Sequence, residues 1–107
     1  MTQKFIRVRV RDSQNVLFED DVDRISSYNE EGRFDVYPMH INFISIIRRE
    51  IQLFRSGQKL KEIKIEQAIM KVKKDAVTIF LGIEAFVLES DAAVRVVKKE
   101  DGGPDRI

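Results

Sequence analysis

The chain has 107 residues, 43% of them hydrophobic, with no cysteine and with 19 basic against 18 acidic side chains for a net charge of +1. That length and apolar fraction give one domain with one core, and the near-neutral balance gives no global pull toward nucleic acid or a membrane surface. The absence of cysteine removes disulfides, thiolate metal sites and a cysteine nucleophile. No apolar run approaches a membrane span and the N-terminus has no signal-peptide core, so the expectation is a soluble cytoplasmic domain.

Phe5 to Arg11 alternates, with Ile6, Val8 and Val10 on one face and Arg7, Arg9 and Arg11 on the other, which predicts a half-buried strand. Asp12-Ser13-Gln14-Asn15 carries turn chemistry, and Val16 to Glu19 predicts a second strand that Asp20-Asp21 breaks. Val22 to Tyr28 is the next apolar segment. Asn29-Glu30-Glu31-Gly32 reads as an acidic hairpin tip, with glycine free to take positive φ.

Gly32 to Ile47 is the densest stretch. Phe34 and Val36 alternate with Arg33, Asp35 and Tyr37, and Pro38 then removes a backbone donor, so a strand is predicted to end there. The apolar run Phe43-Ile44-Ser45-Ile46-Ile47 follows the corner. It reads most simply as core, with part of it as an alternative docking patch. Ile51 to Phe54 fits either a strand or a helical turn. Ser56-Gly57-Gln58 turns the chain. Leu60, Ile63 and Ile65 predict a strand of imperfect period. Ile69 to Lys73 and Val77 to Gly82 predict two more, with Val77, Ile79 and Leu81 on one face and Thr78 and Phe80 on the other. Many short strands without a long helical pattern give an all-β, antiparallel, two-sheet sandwich over residues 1–89. Val8, Val10, Phe18, Ile25, Val36, Ile79 and Leu81 are expected in its core. Residues 90–107 read as a short helix or a frayed tail: Ser90-Asp91 could cap a helix, whereas Val94, Val96 and Val97 favour a strand.

Catalysis finds little support. His40, the single histidine, is the one candidate base, and beside a proline corner it is expected to stabilise the turn through a ring hydrogen bond. No spacing around it supplies metal ligands, and the sequence holds no glycine-rich phosphate loop. Asp20-Asp21 and Glu30-Glu31 are neighbours that point apart, so they read as solvated charges rather than acid/base pairs. Arg7, Arg9 and Arg11, and likewise Lys71, Lys73 and Lys74, could meet phosphates. They lack interleaved aromatic side chains, so a solvated sheet face is the reading and no nucleic-acid partner is expected. No cofactor is expected.

The run Gly32, Val36-Tyr37-Pro38, His40 and Phe43-Ile44-Ser45, followed at the right separation by Ile69-Met70-Lys71-Val72 and Val77-Thr78-Ile79-Phe80, resembles the N-terminal β-sandwich of the F-type ATP synthase epsilon subunit (delta in mitochondria). The resemblance covers Phe5 to Gly82. It departs from the family pattern at Asp35, Met39, Ile41-Asn42 and Gln67-Ala68. It implies a non-catalytic central-stalk subunit that links the gamma subunit to the c-ring in proton- or sodium-coupled ATP synthesis, with membrane contact only through the complex at the inner face. The positions it implies for the gamma-facing surface are Asp12, His40 and Ser45, and for the ring-facing tip Glu31, Gly32 and Arg33. A free-standing β-sandwich adaptor is the competing expectation. Family members usually continue into a C-terminal helical hairpin. Here the best helical window after Gly82, Ser90 to Lys99, would span roughly 15 Å. The expectation is therefore a coupling subunit without a long inhibitory arm.

Overall fold

The computed structural model describes residues 4–38 and 42–87. Seven strands run in chain order: β1 (Ile6–Arg11), β2 (Val16–Val22), β3 (Arg24–Asn29), β4 (Gly32–Val36), β5 (Phe43–Arg55), β6 (Gln58–Lys73) and β7 (Ala76–Phe80). A short helix, α1, spans residues 83–87. The strands hydrogen-bond in the order β2-β1-β7-β6-β5-β3-β4. The all-β expectation holds, with two refinements. The layers join into one continuous ladder, and β1 pairs with β7 in parallel where an antiparallel fold was expected. The chain reaches that parallel position only after passing through the other five strands, a connection long enough for parallel pairing.

The sheet folds back on itself. The Asp23 amide donates to the Phe54 carbonyl at 2.9 Å, and Arg55 Nη1 donates to the Asp21 carbonyl at 2.9 Å and contacts Asp20 at 3.3 Å. Edge strand β2 is thereby drawn against the end of β5. Ile6, Val8 and Val10 of β1 then face Ile25, Val36, Ile47, Ile51 and Leu53 across one core, closed by Met70, Val72, Val77 and Ile79. Phe18 and Leu81, expected inside, are half-buried at its rim.

Three local expectations give way to longer elements. Asp20-Asp21 does not break β2, which continues to Val22. Asp20 stays in the strand because its Oδ1 takes the Asp21 amide at 2.7 Å and meets Arg55, so its charge is accommodated at the fold-back. Phe43 to Arg55 is one strand of 13 residues, which settles Ile51 to Phe54 as strand. The two segments expected around Ile63 and Ile69 are likewise one strand of 16 residues. At about 3.3 Å per residue, a strand that long is roughly 53 Å, matching the 54 Å long axis of the molecule.

The imperfect period of Leu60, Ile63 and Ile65 comes from a bulge: Phe54 pairs with Lys59 and Leu53 with Lys61, so Leu60 is an extra residue on β6. A second bulge follows. Arg48 pairs with Gln67 and Arg49 with Ile65, so Glu66 is an extra residue on β6. One extra residue moves the inward set to the other parity. Ile63 and Ile65 face in before it; Ala68, Met70 and Val72 do so after it. Strand β5 kinks at the same level, with Arg49 at φ 77° and its guanidinium 4.3 Å from the centre of the Tyr28 ring. Ser27 Oγ donates to the Glu50 carbonyl at 2.8 Å there, so a buried hydroxyl is satisfied where the β3–β5 register shifts. Phe80, expected on the outward face of β7, is buried. Helix α1 folds over that face and packs Phe86 edge-on against it, with ring centres 5.3 Å apart.

Candidate partner-binding site

The β3–β4 hairpin forms a two-residue tip. Asn29 pairs with Gly32, leaving Glu30 and Glu31 at the turn. Asn29 Oδ1 accepts from the Glu31 amide at 2.9 Å, the side-chain turn that asparagine makes readily. Gly32 takes φ 122°, which disfavours any side chain although the space around its Cα is open. Both tip glutamates are exposed.

Arg33 turns away from this tip. Its Nη2 lies 3.6 Å from Asp35 Oδ1 and donates to Ser26 Oγ at 3.2 Å, while Ser26 Oγ donates to Asp35 at 2.6 Å. Residues two apart on a strand share a face, so Arg33 meets Asp35 rather than an object beyond the turn. The tip therefore presents two carboxylates, and the neighbouring cation is already compensated.

Ser45 lies beside that tip. With Asn29, Glu30, Glu31, Ile44 and Ile46 it lines a recess of about 440 Å³. A second, smaller hollow of about 180 Å³ continues from it, sharing Ile46 and Gln67 and extending past Ala68 and Ile69 to Gly82 and Ile83. Ile46 pairs with Ile69 across the β5–β6 ladder, so the two side chains stand together on the outer face. Ile44, Ile46 and Ile83 are 58%, 54% and 63% exposed. Three large aliphatic side chains on one face, rimmed by the tip carboxylates Glu30 and Glu31 and by the cation Arg48, mark an interaction surface rather than scattered surface apolarity. The run read mainly as core is thus divided: Ile47 is inside, Phe43 is half-buried, and Ile44 and Ile46 face out.

Asp12 stands apart from Ser45. Its Oδ1 accepts from the Gln14 and Asn15 amides at 2.8 and 2.7 Å, and those bonds hold its carboxyl below the ordinary range. It organises the β1–β2 turn, at the end of β1 where the Arg11 carbonyl accepts from the Leu81 amide. His40 lies outside the described residues, as do the corner expectation for it and the whole of the 90–107 tail. The structure therefore joins Ser45 to Glu31, two positions expected to serve different partners, and leaves Asp12 at a separate turn. It adds Ile83, and of the run read as core or docking patch it exposes Ile44 and Ile46. The signal for Ile44 and Ile46 was present in the sequence, as an apolar run too continuous for a strand with one buried face.

A family model described as the ATP synthase delta/epsilon chain, beta-sandwich domain, matches residues 5–82. The chain is 26% identical over 99 residues to the ATP synthase epsilon chain of Leptospira interrogans serovar copenhageni, covering 92% of this chain and 76% of that one. It is 28% identical over 94 residues to the same-named protein of Leptospira borgpetersenii, covering 88% and 72%. Its fold is similar to a chain in the cryo-EM structure of Euglena gracilis mitochondrial ATP synthase (OSCP/F1/c-ring), with a TM-score of 0.66 at 15% identity over 95% of this chain and 69% of that one. A chain in the Tetrahymena thermophila mitochondrial ATP synthase central stalk and c-ring structure gives a TM-score of 0.60 at 9% identity, over 76% and 66%.

Proposed function

The chain belongs to the delta/epsilon β-sandwich family of ATP synthases, and on that premise we propose that it is an epsilon-type subunit of the central stalk. In this reading it catalyses nothing itself. It is a rigid joint that docks a gamma-type subunit on the isoleucine face of β5 and β6 and reaches a c-ring with the β3–β4 tip. It works at the cytoplasmic face of the membrane and touches the membrane only through the complex. Among the described residues no helix is long and apolar enough to cross a bilayer, which suits a peripheral role.

The observation that carries this reading is the exposed set Ile44, Ile46 and Ile83 on a firmly paired sheet beside an acidic tip. A docked partner removes that apolar surface from water. The continuous ladder lets torque pass without the joint bending, because β5 and β6 are paired from Phe43 to Arg55. Asp12 and His40 belong to the gamma-facing surface in this proposal, as does Ser45. Glu31 and Gly32 form the ring contact, and Arg33 supports it from behind.

The test is co-purification with the gamma-type subunit of the same organism, comparing wild type with Ile46→Asp. Burying a side chain of this size contributes about 1.5–3 kcal/mol, so a carboxylate there is expected to weaken the complex at least tenfold. Far-ultraviolet circular dichroism should be unchanged, since the side chain is exposed in the free subunit. Undiminished binding by Ile46→Asp would place the gamma contact elsewhere and overturn this docking face.

A further inference from the structure

A second recess lies at the end of the sheet remote from the acidic tip. Arg24 opens β3 and pairs with Phe54 near the end of β5, whereas the tip closes β3 at Asn29. Lys4, Arg24, Tyr37, Pro38 and Phe54 wall a space of about 460 Å³, together with Asp23 and the turn glycine Gly57. The recess is shallow and open on its outer side, with room for a small anion held at one edge rather than an enclosed ligand.

The Arg24 guanidinium carbon sits 3.9 Å from the centre of the Phe54 ring. Stacking on an aromatic face fixes the plane of the guanidinium and leaves its N–H groups directed around the edge. Nε of this group is shut off from solvent and has no hydrogen-bond partner among the described residues. The carboxylate next along the chain, Asp23, accepts from the Ser56 amide through Oδ2 at 2.8 Å. Lys4, exposed on another wall, adds a second cation. Two cations against one carboxylate favour an anion in the recess. With Nε enclosed, the two Nη groups are the edge of that held plane open to a ligand, a pair of donors that grips a carboxylate or phosphate with two parallel hydrogen bonds. Tyr37, 50% exposed, and the Pro38 ring offer an apolar wall beside it.

We propose that this recess binds a small oxyanion, a carboxylate or phosphate ester, in the plane of the Arg24 guanidinium, with Lys4 as second cation and the ligand's apolar body against Tyr37 and Pro38. The site does not depend on the docking face described above, from which it is separated by the length of β3.

Arginine Nε–H groups give their own signals in ¹H–¹⁵N spectra, so the full chain can be titrated with benzoate, with acetate and with inorganic phosphate. Saturable shifts of the Arg24 Nε–H and of the Ser56 and Gly57 amides are expected. Benzoate acting at lower concentration than acetate would identify a carboxylate with an apolar body, and phosphate acting at the lowest would identify a phosphate ester. Arg24→Gln should abolish the saturable response. Lys4→Gln, an exposed change that leaves the Phe54 stack intact, should weaken it by up to about fivefold, the size of a solvent-exposed charge contact. Shifts that fail to saturate with all three anions would overturn the proposal. So would equal saturable binding by wild type and both variants.

Discussion

Single residues of this chain are tuned mostly by neighbours two to four positions away or directly across a strand. Glu62 is the clearest case. Lys59 Nζ lies 2.5 Å from one carboxylate oxygen and Lys64 Nζ 2.9 Å from the other, and these hydrogen bonds, Lys59 first, pull its pKa from 4.5 to about 2. Lys64 is shared with Glu50, and its own pKa is raised chiefly by the hydrogen bond to that residue. The folded pKa of Glu62 lies below the unfolded one. Its contribution is therefore present in full above about pH 4.5 and is lost as pH falls toward 2. Glu62→Gln is expected to flatten the fall in urea midpoint that wild type shows across that interval. Because the carboxylate is open to solvent, about 1 M salt should flatten the wild-type curve in the same direction. An unchanged slope in the variant would assign the acid sensitivity to other carboxylates.

At the scale of elements, the bulged centre of β5 and β6 decides how the sheet bends. Arg49 holds φ 77°, in the left-handed region that costs a residue with a Cβ, and its guanidinium recovers part of that cost over the Tyr28 ring. Glycine removes the backbone cost and the ring contact together, so Arg49→Gly should stay within about 1 kcal/mol of wild type in denaturant unfolding. Arg49→Val keeps a branched Cβ at the same φ and should destabilise by about 1–3 kcal/mol. Equal effects of the two would mean that the bulge relaxes and the register is not pinned there. This element was half legible beforehand. The uneven spacing of Leu60, Ile63 and Ile65 was visible, followed by a second apolar run from Ile69, but uneven spacing alone does not distinguish two strands from one bulged strand. The decision belongs to β5, which pairs across the discontinuity without a break.

For the whole molecule, the core is shared among strands far apart in sequence, so its loss is not local. Ile79, fully buried on β7 between β1 and β6, pairs with Val10 on one side and Met70 on the other. Ile79→Ala is expected to cost about 2–5 kcal/mol, read as a lowered thermal midpoint. Ile44→Ser, at a position 58% exposed in the same sheet, should shift stability by no more than about 0.5 kcal/mol and act instead on partner binding. A large stability loss from Ile44→Ser would mean that the isoleucine face is part of this chain's own core.

Much was determined by the sequence alone because its causes are local. Two-residue alternation placed β1 and β4, and Pro38 and Gly32 marked the boundaries of β4, since φ restriction and a missing amide act at the residue that carries them. The resemblance to the family rested on Pro38-x-His40 together with Val77-Thr78-Ile79 at their separation, a pattern that a linear sequence preserves. Tertiary structure decided what depends on who lies opposite. Phe80 is inside because α1 covers it, and Asp20 stays in β2 because Arg55 arrives from β5. Arg33 serves Asp35 and Ser26 instead of the tip. Ile44 and Ile46 face out while Ile47 faces in, because among the described residues no second layer packs on the outer face of β5 there. Burial is a property of the space a partner strand fills, and one strand's sequence gives its alternation but not which of its faces another layer will cover.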